Sequence, residues 1–415
     1  MADREQVAGG NWLERASHRQ WLLREADDLF RFFEGASLDP DGRISVPDTK
    51  GRPMRDGAPT ELHTTTRLVH CFSLASLQGR PGADALVDHG MKALWERHRD
   101  AEHGGYVWSF GPDGFADDKK QAYGHAFVLL AASSALQAGH PDAPRLLADI
   151  TQTLNTRFWE EAHGATAEEF TRDWRPFDTY RGQNSNMHLT EALMAAFEAT
   201  GERHYLDKAG RIADLIVNRH ARATGWHLPE HFDADWQFDR AYDGNPIFRP
   251  FGTTPGHWLE WARLLIQLWE LEGRVTDWMP DAAKALFAKA VSDGWDETRG
   301  GFFYTLGWDG QPRIPDRYWW PVCEGIGAAA VLGAVTHDPF YETWYRRIWD
   351  FAALHLIDRR RGGWHPQLGP DNQPKPEPFA GKPDLYHALQ ACLIPLLPTD
   401  TGLAKGLREG QLRGA

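Results

Sequence analysis

Six stretches of this chain set a titratable or hydrogen-bonding side chain near the start of an otherwise apolar run. Arg67 stands in "TTTRLVH", Tyr123 and His125 in "QAYGHAF", and His188 with Glu191 in "NSNMHLTEA". His257 with Glu260 stands in "PGHWLEW", Glu324 in "WWPVCEG" and His387 in "DLYHALQ". Successive members are roughly 55 to 70 residues apart. A lone histidine in such a place is more often a satisfied structural group than an acid or base. Six polar groups in register shift that balance. Imidazole titrates near neutrality, so it can take a proton from a carbon next to a carbonyl and return it. An arginine such as Arg67 would stabilise the oxygen of an enediolate.

Two of the stretches share the spacing His-x-x-Glu. Residues three apart lie on one helix face. Each glutamate is therefore expected to accept from the ring nitrogen that does not react, which sets the tautomer of its histidine. Two other chemistries compete. A mononuclear metal could use His188, His257 and His387, although the extra carboxylates of a bundle di-metal site are not evident. Glycoside hydrolysis needs two well-placed carboxylic acids. Glu260 and Glu324 could serve, but each adjoins histidine or tryptophan rather than a free acid partner.

These groups must be positioned by repeated elements. A glycine turn followed by an extended aromatic segment recurs as "HGGYVWSF", "HGATAEEF", "TGWHLPEHF", "GGFFYTLGWDG" and "GGWHPQLGPDN". A degenerate sixth copy is "DPDGRISVPDTKG", from Asp39. Between the copies, apolar residues recur at three and four positions, the helical period, and glycine or proline punctuates the ends. Each unit reads as helix, loop, helix and short hairpin. Six units predict an all-α fold, an (α/α)6 barrel of six inner and six outer helices, in one domain spanning 1–415. An open solenoid is the alternative. The ring is preferred because the inner-type helices are apolar on most faces yet begin with polar groups. The last residues, about 399–415, are expected to be a disordered tail.

Composition narrows the partners. The 415 residues carry a net charge of −13, which lacks the basic footprint that nucleic acid or an anionic membrane requires. No stretch reaches the roughly 20 apolar residues of a membrane span. The start "MADREQVAGG" has no apolar core, so no signal peptide is expected. Cys71, Cys323 and Cys392 are odd in number and far apart, which predicts no disulfide framework and fits a reducing cytoplasm. Nineteen tryptophans suit a large core and also a cleft that stacks on sugar faces.

The segments "RGQNSNMHLTEA", "FRPFGTTPGHWLEWARLL", "RYWWPVCEG" and "KPDLYHALQ" together resemble the N-acylglucosamine 2-epimerase superfamily. The likeness runs from about Trp21 to Pro395 and is nearest to its aldose–ketose isomerase branch, the mannose and sulfoquinovose isomerases. The resemblance implies an (α/α)6 barrel, a free monosaccharide as the ligand, no metal or other cofactor, and a cis-enediolate route. It implies His257 and His387 as the acid/base pair. His387 would move the proton between C2 and C1, and His257 would assist ring opening and shuttle a proton between O1 and O2. Arg67, Tyr123, Asn184 and His188 would hold hydroxyls, and Trp320 would pack against the sugar. Glu260 and Glu324 would orient groups around it, and Arg249 would share the pocket.

Two departures bear on the substrate. The sulfoquinovose branch brings glutamines to the sulfonate where this chain has Pro366 and Pro383, although a one-residue shift would restore Gln367. His63 stands where that branch tends to carry tryptophan. Both favour interconversion of D-mannose and D-fructose, with D-lyxose and D-xylulose as a further pair. A sulfonated sugar, 2-epimerisation and non-catalytic sugar binding are the alternatives.

Overall fold

The computed structural model describes residues 10–35, 37–38, 43–54, 57–382 and 385–414. The first part of the degenerate sixth copy, and Pro383, lie outside them. In chain order the helices are α1 (Ala16–Glu34), α2 (Leu62–Leu77), α3 (Ala83–Ala93), α4 (Ala122–Gln137) and α5 (Ala143–Thr153). They continue as α6 (Gln183–Thr200), α7 (His204–Ala213), α8 (Pro255–Leu271) and α9 (Trp278–Asp293). The last are α10 (Trp319–Thr336), α11 (Pro339–Phe351), α12 (Tyr386–Leu393) and α13 (Leu403–Arg408).

The helices α2, α4, α6, α8, α10 and α12 pack in sequence, and α12 meets α2 to close the ring. Each is backed by an outer helix: α3, α5, α7, α9 and α11 in turn, with α1 behind α12. The N-terminal helix thus completes the last unit. Glu25 of α1 ties this closure by accepting from Trp364 Nε1 at 3.1 Å and Arg359 Nη1 at 2.9 Å. Sequence explains the layers. The inner helix α4 buries nearly every residue and α10 most of its residues, whereas the outer helices α5 and α7 bury one face and leave the other polar.

The glycine turns pin the inner helices. In "DAEHGG", "DETRGG" and "DRRRGG" the aspartate N–H donates to the carbonyl of the second glycine, at 2.8, 2.9 and 2.9 Å. The paired glycines have φ between 65° and 84°, which only glycine adopts cheaply. Each aspartate carboxylate also caps its own turn and pairs with a cation just before an inner helix. Lys120 Nζ lies 3.1 Å from Asp100, Lys382 Nζ lies 3.0 Å from Asp358, and Arg317 pairs with Asp296. Lys120, Lys382 and Arg317 are almost fully buried.

Short antiparallel strands finish the job. The first residue of an inner helix donates its N–H to the next unit's hairpin: Leu62 to Trp108 O (2.7 Å), Ala122 to Glu168 O (2.8 Å), Gln183 to Glu230 O (3.1 Å) and Trp319 to Pro366 O (3.2 Å). Trp108, Glu168, Glu230 and Pro366 are therefore equivalent positions of the repeat.

Two expectations change. Residues 399–414 are not an open tail. The helix α13 packs against α2, α4 and α6, Leu407 is buried, and Gly402 N–H donates to Glu198 at 2.8 Å. This segment plugs the barrel at the C-terminal ends of the inner helices. Also, α10 is by length and composition apolar enough to cross a membrane. It is instead largely buried as a wall of the barrel, which is why its sequence is so apolar.

Candidate active site

A cleft of about 700 Å³ opens at the N-terminal ends of the inner helices. His63, Arg67, Tyr123, Asn184, His188, His257, Glu260, Trp320 and His387 all line it, joined by Trp108, Tyr304 and Trp319. Apart from Trp108 and Tyr304, which stand next to short strands, these positions lie within the first two turns of α2, α4, α6, α8, α10 and α12, so the ring brings together what the chain separates.

His257 sits on the first turn of α8. Pro255 is the first helical residue, where its missing N–H costs nothing. Gly256 is not a turn glycine: a Cβ there would lie 2.6 Å from Trp320 Cη2 and 2.9 Å from Pro321 Cγ. Its bare backbone lets the Trp320 ring come within 5.0 Å of the His257 ring, centroid to centroid. His257 Nδ1 lies 2.8 Å from Glu230 Oε2, and Gln183 Nε2 donates to the same oxygen at 2.8 Å. Trp261 Nε1 donates to Gln183 Oε1 at 2.9 Å, which fixes the amide's orientation. Burial pushes the Glu230 carboxyl up, but His257, His231 and Gln183 outweigh it and hold it below its ordinary value. An ionised Glu230 makes Nδ1–H the donor and turns Nε2 to the cleft.

His387 repeats the device. Its Nδ1 lies 2.9 Å from Glu324 Oε1, and Arg263 Nε donates to Glu324 Oε2 at 2.9 Å. Burial raises the Glu324 carboxyl, and Arg263 and His387 more than reverse this. The His387 ring is 5.9 Å from Trp320, so one indole flanks both histidines. Glu324 does not line the cleft and acts from beneath it.

The family described as N-acylglucosamine 2-epimerase (GlcNAc 2-epimerase) matches residues 42–391. The chain belongs to this family. It is 45% identical to a D-mannose isomerase of Thermobifida fusca over 404 residues, 95% of this chain and 98% of that protein. It is 43% identical to a D-mannose isomerase of Pseudomonas cannabina pv. alisalensis over 405 residues, 96% of this chain and 97% of that protein. A crystal structure of a D-mannose isomerase superposes with a TM-score of 0.85 at 34% identity, covering 90% of this chain and 96% of the other.

In this N-acylglucosamine 2-epimerase family member the His-x-x-Glu spacing does not pair as expected. Glu260 does not reach His257. Its Oε1 lies 3.4 Å from His188 Nδ1 on the neighbouring helix. Glu191 does not serve His188 either; it accepts from Tyr386 and from Gln390 Nε2 at 3.1 Å, and lies 3.4 Å from Arg263 Nη1. Residues three apart share a face, but here that face points to the barrel axis, where neighbouring helices supply nearer partners. Burial, then Arg67 and the other cleft histidines, drive His188 well below its ordinary pKa, so it is a neutral ring.

Arg67 Nη2 donates to Tyr123 Oη at 2.8 Å, and its guanidinium lies 4.6 Å from the Phe127 ring centre. His63 stacks on Trp108 at 5.3 Å. His125 is a structural histidine: Nδ1 meets Gln121 O at 2.8 Å and Nε2 accepts Tyr106 N–H at 3.0 Å. Arg249 does not line the cleft. Glu169 at 3.3 Å, Glu168 at 3.7 Å and the Tyr180 face hold it elsewhere. Gln367 is buried, donates to Lys375 O at 2.9 Å and does not restore a donor to the cleft.

Among the described residues, the ligand atoms of His188, Glu191 and Glu260 gather within 4.8 Å of one another. The guanidinium of Arg263 already lies against both carboxylates, so a fixed cation supplies the positive charge there. The ring nitrogens of the alternative metal set, His188, His257 and His387, do not gather in this way among the described residues. Glu230, Gln183 and Arg263 are the residues that sequence reasoning passed over. The only trace of Glu230 is the Glu-x-Phe shared by "EEF" and "EHF" in equivalent hairpins.

Proposed function

We propose that the protein is a metal-independent aldose–ketose isomerase that interconverts D-mannose and D-fructose through a cis-enediolate. The observation that carries this reading is the pair His257 and His387. Each has Nδ1 on a buried, ionised glutamate, and both flank Trp320 in one cleft. The D-mannose isomerases at 43% and 45% identity support the choice of sugar.

In this reading His387 Nε2 removes the C2 proton of the open-chain aldose and delivers it to C1. His257 Nε2 assists ring opening and carries a proton between O1 and O2. Electrons move from the C2–H bond into the enediolate and back to C1–H, so no redox partner is needed. Arg67 and Tyr123 face the developing oxyanion. All six inner helices turn their N-termini to the cleft, and their positive ends favour the same negative charge. Trp320 supplies the flat apolar face for the sugar. The cleft offers no glutamine where the sulfoquinovose branch needs one at Pro366, which disfavours a sulfonated sugar. D-Lyxose has the configuration of D-mannose at C2, C3 and C4 and lacks only C6, so it is a further substrate.

The test is the product profile from D-mannose in heavy water with chelator present. Fructose labelled with deuterium at C1 is expected, at a rate the chelator does not change. Glucose as the main product would make the enzyme a 2-epimerase, and loss of rate on chelation would overturn the metal-independent route. His257→Ala and His387→Ala are each expected to abolish turnover.

A further inference from the structure

Beneath the two catalytic histidines lie two buried glutamates with unequal surroundings. Arg263, on α8 two turns after His257, is 1% exposed and has one guanidinium to share among Glu191, Glu260 and Glu324. Its Nε donates to Glu324 Oε2 at 2.9 Å, and its Nη1 donates to Gln267 Oε1 at 3.1 Å and lies 3.4 Å from Glu191 Oε1. Its Nη2 approaches Glu260 Oε1 only to 3.7 Å, with no hydrogen bond. Glu324 thus receives two donors, Arg263 and His387. Glu191 receives Tyr386, Gln390 and Arg263. Glu260 is 0% exposed and receives no donor on either oxygen.

From this geometry we infer that Arg263 sorts the charge of the pair: Glu324 is the carboxylate that orients His387, and Glu260 is a neutral acid whose proton is offered to an oxygen of the aldose. The inference rests on the isomerase reading for its ligand. A buried carboxylate with no donor is costly, and protonation removes the cost. The groups facing Glu260 are Arg263 on its own helix, Glu324 on α10, His188 and Glu191 on α6, Arg67 on α2 and Tyr386 on α12. Burial, followed by the charge on Glu324, drives the Glu260 carboxyl well above its ordinary value, and Arg263 only partly opposes this. Glu260 lines the cleft, whereas Glu324 does not. A neutral acid there donates a hydrogen bond to the carbonyl or enediolate oxygen; a second carboxylate would repel the charge that forms. Arg263 touches no sugar and is a positioning residue.

The experiment compares infrared difference spectra and kinetics of the full-length enzyme at neutral pH. Glu260→Gln is expected to lose a protonated-carboxyl stretch present in the wild type, and Glu324→Gln is expected to retain it. Glu260→Gln keeps a donor and should lower kcat/KM for D-mannose by less than about tenfold, whereas Glu260→Leu and Glu324→Gln should each cost about a hundredfold or more. Arg263→Met should move the acid limb of the kcat–pH profile upward as Glu324 begins to take a proton. Arg263→Lys, which keeps the charge if the Met variant does not fold, should restore the profile. A protonated-carboxyl band unaltered by Glu260→Gln, or one lost with Glu324→Gln, would overturn the inference. A wild type that turns over no aldose would defeat the isomerase reading alone, and the infrared comparison would still decide the charge assignment.

Discussion

Glu324 Oε1 and His387 Nδ1 meet at 2.9 Å although 63 residues separate them in the chain. The contact joins the neighbouring inner helices α10 and α12. Glu230 and His257 make the corresponding contact at 2.8 Å from a hairpin to α8. The two histidine rings are thus held by carboxylates from different structural layers, one inside the helix ring and one from the loops above it.

That difference makes Glu230 separable from the barrel. Glu230→Gln preserves shape and the hydrogen bond from Thr254 N–H, but removes the charge that sets the His257 tautomer. We expect kcat on D-mannose to fall about a hundredfold, with KM changed less than about threefold, because the effect falls on the proton shuttle and not on sugar contacts. Steady-state kinetics with the variant check this. A large rise in KM at unchanged kcat would place Glu230 among the sugar-binding groups instead.

The ring and its mouth were legible because they repeat. Helical periodicity and glycine turns recur about every 60 residues, and the polar groups at His188, His257 and His387 recur with them. Pairings across the ring were not legible. The spacing of His257 and Glu260 describes one helix, but Glu260 finds His188 and Arg263 nearby, and His257 finds Glu230. Arg249 failed for a related reason: its motif is close in sequence to His257, yet Glu168 and Glu169 from an earlier hairpin claim its charge. The tail around Leu403 looked unstructured because α13 is short and gains its stability only from the barrel end it covers.

Gly256 predicts a binding defect. A methyl group there must displace the Trp320 ring, which is packed beside both histidines. Gly256→Ala is expected to raise KM for D-mannose several-fold and to cost about 1–3 kcal/mol of stability through overpacking. Parallel kinetics and thermal unfolding check it. An unchanged KM would show that Trp320 does not pack on the sugar.

The aspartate–cation pins predict a stability effect away from the chemistry. Lys382 is 2% exposed and bonds Asp358 at 3.0 Å, also reaching Gly362 O. Lys382→Met leaves a buried carboxylate without its cation, which typically costs about 3–5 kcal/mol. The double variant Lys382→Met/Asp358→Asn should recover part of this loss in denaturant unfolding. The single variant should be the less stable of the two.

Acid stability follows from three buried histidines. His70 contacts Ser134 Oγ at 2.7 Å, His98 contacts Thr65 Oγ1 at 3.0 Å, and His125 sits between Gln121 O and Tyr106 N–H. Burial holds each of them down to about 3 in the folded protein. The unfolded chain takes up these protons near the ordinary value of about 6.5, so it binds more protons than the native state between about 6.5 and 3. Stability therefore rises with pH through this window and falls as pH drops below about 6.5, by at most roughly 4 kcal/mol for each pH unit from the three together. Glu230 and Glu324 are held low in the native state, so their contribution is lost only at more acid pH, as they protonate. Urea unfolding at pH 7.5, 6.5 and 5.5 should show a midpoint that falls over both intervals, and clearly more steeply over the second. His70→Asn, which cannot be protonated, should make the second drop shallower.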